Sequence, residues 1–175
     1  ALLDGRIDIA VHSMKDMPAE IPRGLCIGAV PEREAPLDVL IAREGRRLMD
    51  LGPSPRIGTS SLRRAAQLRH MRPDIRIMPL RGNLDTRLRK LDEEMLDAIV
   101  LAAAGVKRLG MTERITEYLT PEIMLPAVGQ GALCVETRRE DTVITPLIAP
   151  LDHAETHQAV LAERAFLARP EGGRP

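Results

Sequence analysis

Three stretches of the sequence set arginine beside small, turn-forming residues: GTSSLRR at 58–64, LRGNLDTR at 80–87 and AGVKRLG at 104–110. In the first, Thr59, Ser60 and Ser61 can cap a helix whose leading N–H groups then face outward, an arrangement that favours anions. Arg63 and Arg64 fall in the first turns of that helix. A cation there works against the helix dipole by roughly 0.3–1 kcal/mol, so two of them suggest a negative partner. The second stretch repeats the chemistry, with Arg81 at a strand end, Gly82 and Asn83 allowing a tight turn, and Arg87 beyond Asp85. Lys107 and Arg108 follow a third apolar run. Each stretch has a plainer reading, a capped helix with solvated arginines or an Asp85–Arg ion pair. Three strand ends with one chemistry are more simply read as a basic cleft for a polyanion.

A fourth stretch, HSMKD at 12–16, differs in sign. A carboxylate facing a basic cleft cannot bind the anion, so Asp16 suits proton handling or a developing positive charge. Lys15 beside it favours the ionised carboxylate, and a positioned acid–base group contributes typically 10²–10⁴ in rate. The plainer reading is a solvated Lys–Asp pair in a turn. His12 reads as a strand-end histidine. In LPAVGQGALCVE, Gln130 lies between Gly129 and Gly131 as a hydrogen-bonding contributor at a chain crossing. No cluster has metal-ligand character, and no serine has a paired base.

Composition narrows the function classes. The 44% hydrophobic content fits an ordinary globular protein with a core. No apolar run reaches the roughly 18 residues of a membrane span, and no N-terminal segment resembles a secretory signal, so a cytoplasmic setting is expected. Cys26 and Cys134 lie in separate apolar runs and read as reduced core thiols. Of 25 basic residues only three are lysines, and arginine is the side chain that grips carboxylate or phosphate through two N–H groups. The overall charge is zero, yet residues 56–108 carry twelve cations against six acids. Nucleic acid is a poor partner, because one Tyr, one Phe and no Trp leave little for bases to stack on. No large apolar surface stretch argues against a monomer.

These residues need elements to hold them. Ile7, Ile9 and Val11 alternate through RIDIAVHS as a buried strand, and a Pro-containing turn leads to a second apolar run, LCIGAV. PEREAP marks a crossing into a second unit that begins at LDVLIA. There, RIGTSSLRRAAQLRHM reads as strand end, turn and helix, with Leu62, Ala65 or Ala66, and Leu68 on one face. DIRIMPL is a strand, RGNLDTRLRKLDEEMLD a loop and helix bearing Leu84, Leu88, Leu91 and Met95, and AIVLAAAG a continuous strand. Strands alternating with helices imply a parallel sheet with crossovers, whose ligands sit beyond the strands' carboxyl ends. The opening ALLDG reads as the last turn of a helix. With a C-terminal helix that has nothing after it to cover, it gives the expectation of a fragment.

In their order, DIAVHSMKD, GTSSLRR, LRGNLDTRL, AGVKRLG, LPAVGQGA and AERAFL followed by EGG resemble the porphobilinogen deaminase (hydroxymethylbilane synthase) family over nearly the whole chain. The resemblance implies an α/β fold like the type II periplasmic binding proteins: two lobes of mixed and parallel sheets with helices on both faces, plus the start of a small third α+β domain. Residues 1–34 and 129–150 would form the first domain, 35–128 the second, and 151–175 the beginning of the third. The implied activity is a transferase that condenses four porphobilinogen molecules head to tail, with release of ammonia, onto a dipyrromethane cofactor. Asp16 matches the catalytic aspartate, which would protonate the leaving amine and stabilise the cationic azafulvene. Arg63, Arg64, Arg81, Arg87 and Arg108 match binders of the side-chain carboxylates of porphobilinogen and the polypyrrole. Ser13, Lys15 and the Thr59, Ser60, Ser61 turn match cofactor contacts, and Gln130 joins them. The cofactor-bearing cysteine of the family directly follows EGG, where this sequence has Arg174, so the resemblance implies no attachment cysteine here. The residues alone leave open a non-catalytic anion-binding module on the same fold.

Overall fold

The computed structural model of the chain describes residues 1–93 and 95–172. It divides into two compact units, Ala1–Pro36 with the segment from Ala127 onward, and Leu37–Pro126. Both changes of unit follow a proline, Pro36 and Pro126, which disfavours helix in the residue before it. Among the described residues no helix is long and apolar enough to cross a membrane.

Unit 1 is a three-stranded antiparallel sheet ordered β1-β8-β2, with β1 at Ala10–Ser13, β2 at Leu25–Ala29 and β8 at Leu133–Arg138. The alternation of the central strand decides what covers each face. Cys134 packs with Met14, Val30, Ala132 and Val160 of helix α5 (Ala154–Gly172), whereas Val135 packs with Ala29 and with Ile148 of helix α4 (Ile144–Ile148). The apolar alternation expected to bury Ile7, Ile9 and Val11 does not do so, and Val11 is 60% exposed. β1 is an edge strand with β8 on one side only, and its anchor in the core is the following residue, Met14.

Unit 2 is a five-stranded sheet ordered β5-β4-β6-β3-β7. Its strands are β3 (Asp38–Ala42), β4 (Arg56–Gly58), β5 (Arg76–Met78), β6 (Ala98–Ala102) and β7 (Glu117–Leu119). β4 pairs parallel with β5 and β6, as expected where helices α1 (Leu62–Met71) and α2 (Leu84–Glu93) make the crossovers. β3 runs antiparallel to β6 and β7, with Asp38 opposite Ala102 and Leu119. Its first residue therefore lies at the edge where the parallel strands end. One face of the sheet joins Leu40, Ile57, Ala98, Val100 and Leu119 to Leu68 of α1. On the other, Gly58 leaves room for Leu96, Ile99 and Leu80, since a Cβ there would stand 2.9 Å from the Leu96 side chain.

Three local readings change. Leu62 is 88% exposed, and the buried pair one turn apart in α1 is Arg64 and Leu68. Leu62 and Leu68 are six residues apart, which at 3.6 per turn puts them on different faces. Met95 lies beyond α2 with a left-handed backbone (φ +55°) and an exposed side chain. The continuous strand expected through AIVLAAAG stops at Ala102, and helix α3 (Ala103–Arg108) takes over, as alanine's high helix propensity favours.

Candidate functional site

In unit 2 the turn after β4 is built by its own hydroxyls. The Thr59 N–H donates to Met78 O at 2.9 Å, and the Ser61 N–H donates to Thr59 Oγ1 at 3.2 Å. The Ser60 hydroxyl both donates to Leu80 O (3.0 Å) and accepts from the Leu80 N–H (2.9 Å), tying the ends of β4 and β5 together. Ser61 caps α1 by accepting the Arg64 N–H at 3.4 Å. By helix geometry the first N–H groups of α1 have no acceptor within the helix.

The two arginines in the first turns of α1 are held by Asp38, the first residue of β3. Its carboxylate is 0% exposed. Asp38 Oδ1 accepts from Arg64 Nε (3.0 Å) and Nη2 (2.7 Å), while Oδ2 pairs with Arg63 Nη2 at 2.7 Å. Arg64 Nη1 also donates to Val100 O at 3.1 Å, and Arg63 Nη1 donates to Leu125 O. Burial pulls the Arg64 pKa below its ordinary value; Asp38 opposes this, and the nearby charges of Arg63 and Arg87 add to the lowering. The negative partner suggested by the sequence is thus supplied in part by the protein itself.

The loop before α2 follows the same plan with different parts. Asn83 Oδ1 accepts the Thr86 N–H at 2.8 Å, Gly82 takes φ +116°, and Arg87 Nε donates to Gly82 O at 2.8 Å. Arg81 is exposed in that loop and Arg108 is exposed at the end of α3. The structure brings Arg63, Arg64 and Arg87 together. No such closeness links Arg81 or Arg108 to them among the interactions above.

In unit 1, β1 runs from His12 and Ser13 into a single 3-10 turn, Met14–Asp16. His12 Nε2 lies 3.0 Å from Glu136 Oε2 on β8. The turn hangs on Met14, whose side chain is buried and whose N–H donates to Ala132 O at 3.0 Å, so that Lys15 and Asp16 project outward. Gly129, at φ +68°, makes this possible, because a Cβ there would stand 2.6 Å from Met14 Cγ. Gln130 is 1% exposed, and its amide donates to Pro36 O at 2.6 Å. The Gly131 carbonyl accepts the Glu34 N–H at 3.1 Å, with no room for a side chain: a Cβ on Gly131 would stand 2.3 Å from Glu34 O. Arg33 Nε donates to Gln130 O at 2.9 Å, its guanidinium pairs with Glu163 of α5, and Glu163 accepts the Gly129 N–H at 2.8 Å. The contacts of Gln130 therefore clasp the two crossing segments to one another.

Residues 1–146 match the family model described as porphobilinogen deaminase, dipyromethane cofactor binding domain. The chain belongs to the porphobilinogen deaminase family. The porphobilinogen deaminase of Pelobacter propionicus is 56% identical over 173 residues, 99% of this chain and 56% of that relative. That of Carboxydothermus hydrogenoformans is 57% identical, over 99% of this chain and 56% of its own length. The chain thus spans just over half the length of these curated relatives. In fold it is similar to the periplasmic VFT2 domain of Bordetella pertussis BvgS (TM-score 0.50, 13% identity, 94% of this chain and 69% of that one). It is likewise similar to a TRAP periplasmic solute binding protein from Desulfovibrio salexigens (TM-score 0.52, 9% identity, 96% and 61%). The fold is the two-lobed α/β type of the periplasmic binding proteins.

Within the porphobilinogen deaminase family pattern, Ser13, Lys15, Asp16 and Gln130 stand in unit 1, and Thr59, Ser60, Ser61, Arg63, Arg64, Arg81, Arg87 and Arg108 in unit 2. The three hydroxyls are spent on the turn, and Arg64 is largely inside the protein. Arg174 lies outside the described residues. Both described cysteines are free, and burial, with Glu136 adding, pushes the Cys134 thiol up to about 11. Asp38 is the residue that reading the sequence missed, because LDVLIA looks like an ordinary buried strand whose leading Asp belongs to a turn. The only signal available was two arginines in a helix start with no carboxylate nearby in the sequence.

Proposed function

We propose that the chain is the binding and catalytic part of a porphobilinogen deaminase, a transferase that condenses four porphobilinogen molecules into hydroxymethylbilane with release of ammonia. The observation that carries this reading, within the family, is the pairing of Arg63 and Arg64 with one buried carboxylate at a strand-end edge, with the charge of Arg87 close enough to act on Arg64. Three cations against one anion leave a positive excess suited to the acetate and propionate groups of each pyrrole, and guanidinium is the donor that grips carboxylates through two N–H groups. The same donors fit dipyrromethane, which bears the same acid side chains and, when bound, would supply the pyrrole carbon that accepts the first unit. Arg63 and Arg87 would hold that group, joined by Arg81 and Arg108 as the chain lengthens.

Asp16 carries the proton. Its carboxyl delivers a proton to the aminomethyl nitrogen of porphobilinogen, so that ammonia leaves, and the resulting carboxylate then faces the cation left behind. After coupling, the same oxygen takes up the proton lost from the pyrrole carbon, which returns the site to its starting state. Outward presentation on a turn anchored by Met14 suits a group that must meet successive substrates. We infer a cytoplasmic monomer with no nucleic-acid or membrane partner, and residues 151–175 as the opening of a third domain.

The test is titration of the chain with porphobilinogen, with intact mass and released ammonia followed in parallel. Binding that weakens at least tenfold in Arg63→Ala and Arg87→Ala, yet persists in Asp16→Asn, is expected. Binding indifferent to both arginines would overturn the reading.

A further inference from the structure

Asp38 stands where a negative charge should weaken an anion site, and yet it lies closest of all to the arginines. It is the second residue of unit 2, its backbone is fixed between β6 and β7, and its carboxylate is wholly buried. Arg63 is gripped at both terminal nitrogens, by Asp38 Oδ2 at 2.7 Å and by Leu125 O. Leu125 stands two residues before the return crossing, so one guanidinium links the entry and the exit of the unit. Arg64 has three N–H groups committed, two to Asp38 and one to Val100 O.

We propose that Asp38 is a positioning residue of the anion site: its buried carboxylate locks Arg64 as a strut and aims Arg63 at the ligand. This rests on the reading above that the start of α1 binds pyrrole carboxylates. Arginine carries five N–H donors, and Arg63 commits one to a hydrogen bond with Leu125 O while it ion-pairs with Asp38, which leaves donors enough for a carboxylate. Without Asp38, Arg63, Arg64 and Arg87 would repel one another, and each long side chain would have to be ordered when the ligand arrives, a cost that lowers affinity. Asp38 spends Coulomb attraction to remove that cost in advance.

The two effects have opposite signs, which makes the proposal testable. Asp38→Asn is nearly isosteric and adds one positive charge to the site. A bystander carboxylate predicts tighter binding of porphobilinogen by calorimetry. The positioning role predicts binding at least tenfold weaker, with Arg63→Ala adding little on top of Asp38→Asn. Unchanged or tighter binding by a folded variant, or fully additive losses, overturns the proposal. Should Asp38→Asn fail to fold, Arg64→Lys keeps both charges but loses the two-point grip on Oδ1; the same loss is expected, and unchanged affinity overturns the proposal. If the unaltered chain binds no porphobilinogen, the functional reading fails, and the role of Asp38 is then read by nitrogen-15 NMR of the arginine side chains. An Arg63 Nε–H that is ordered in the parent chain and mobile in Asp38→Asn supports it; equal order in both overturns it.

Discussion

The two units present their chemistry by opposite means. Unit 2 offers arginine at helix starts, and it steadies those long side chains from within, by a buried carboxylate and by main-chain carbonyls. Unit 1 offers Lys15 and Asp16 on a three-residue turn, and it steadies the backbone of that turn by burying Met14 against Gly129. A charged side chain with four rotatable bonds must be ordered by partners, at the cost of placing a charge inside the protein. Aspartate has one methylene to order, so fixing its backbone is enough. The length of the side chain decides which strategy a site needs.

The comparison can be broken hardest at the crossing clasp of unit 1. Gly131→Ala puts a methyl group 2.3 Å from Glu34 O on a backbone at φ +85°. A loss of about 3–5 kcal/mol in urea unfolding is expected, in the range of severe backbone and packing clashes; a loss below about 1 kcal/mol would mean that the crossings are not clasped there.

A smaller effect sharpens the contrast at Arg33 and Glu163. Burial pushes the Glu163 carboxyl up, but the Arg33 guanidinium and the Gly129 N–H outweigh it and hold it below its ordinary value of 4.5. A carboxyl depressed on folding stabilises above its unfolded pKa, and that contribution is lost as pH falls through the lower folded value. Glu163→Gln is expected to cost about 1–2 kcal/mol at neutral pH, as for hydrogen bonds to charged groups, and to flatten the acid limb of stability below pH 4.5. Melting temperatures of both proteins between pH 3 and about 7 check it; parallel curves would refute the pair's role.

The smallest effect is expected at Leu62, where the sequence pattern suggests core and the structure shows solvent. Leu62→Ser, at 88% exposure, should change stability by under about 0.5 kcal/mol, whereas a cost above about 2 kcal/mol in urea melts would return Leu62 to the core.

Much of the fold was legible because its signals are local. The β4-α1-β5-α2-β6 alternation follows from Gly58–Ser61 and Gly82–Asn83, turn chemistry that reads directly from residue type. What escaped depends on distance. Arg64 occupies the core-facing position of α1 because Asp38, 26 residues earlier, neutralises it, and hydrophobic periodicity has no symbol for a paired arginine. Val11, opposite Val135 on the same face, is exposed because the cover from Ile148 of α4 packs on β8 and β2 and does not reach β1, a fact of tertiary packing rather than of alternation. Of the candidate site, the residue types and strand ends were legible. The division of labour between Arg63, which faces both a carboxylate and a carbonyl, and Arg64, which is nearly interior, was not.

Cys134 sits where β8 meets α5, sealed against Val160 and Met14. With its thiol pushed up to about 11, only about one molecule in ten thousand carries the thiolate at neutral pH while the lid of α5 is down. Alkylation of Cys134 can then proceed appreciably only through transient partings of helix and sheet, so its rate is a clock for how often unit 1 breathes. The half-buried Cys26 on β2 supplies the reference tick from the same molecule.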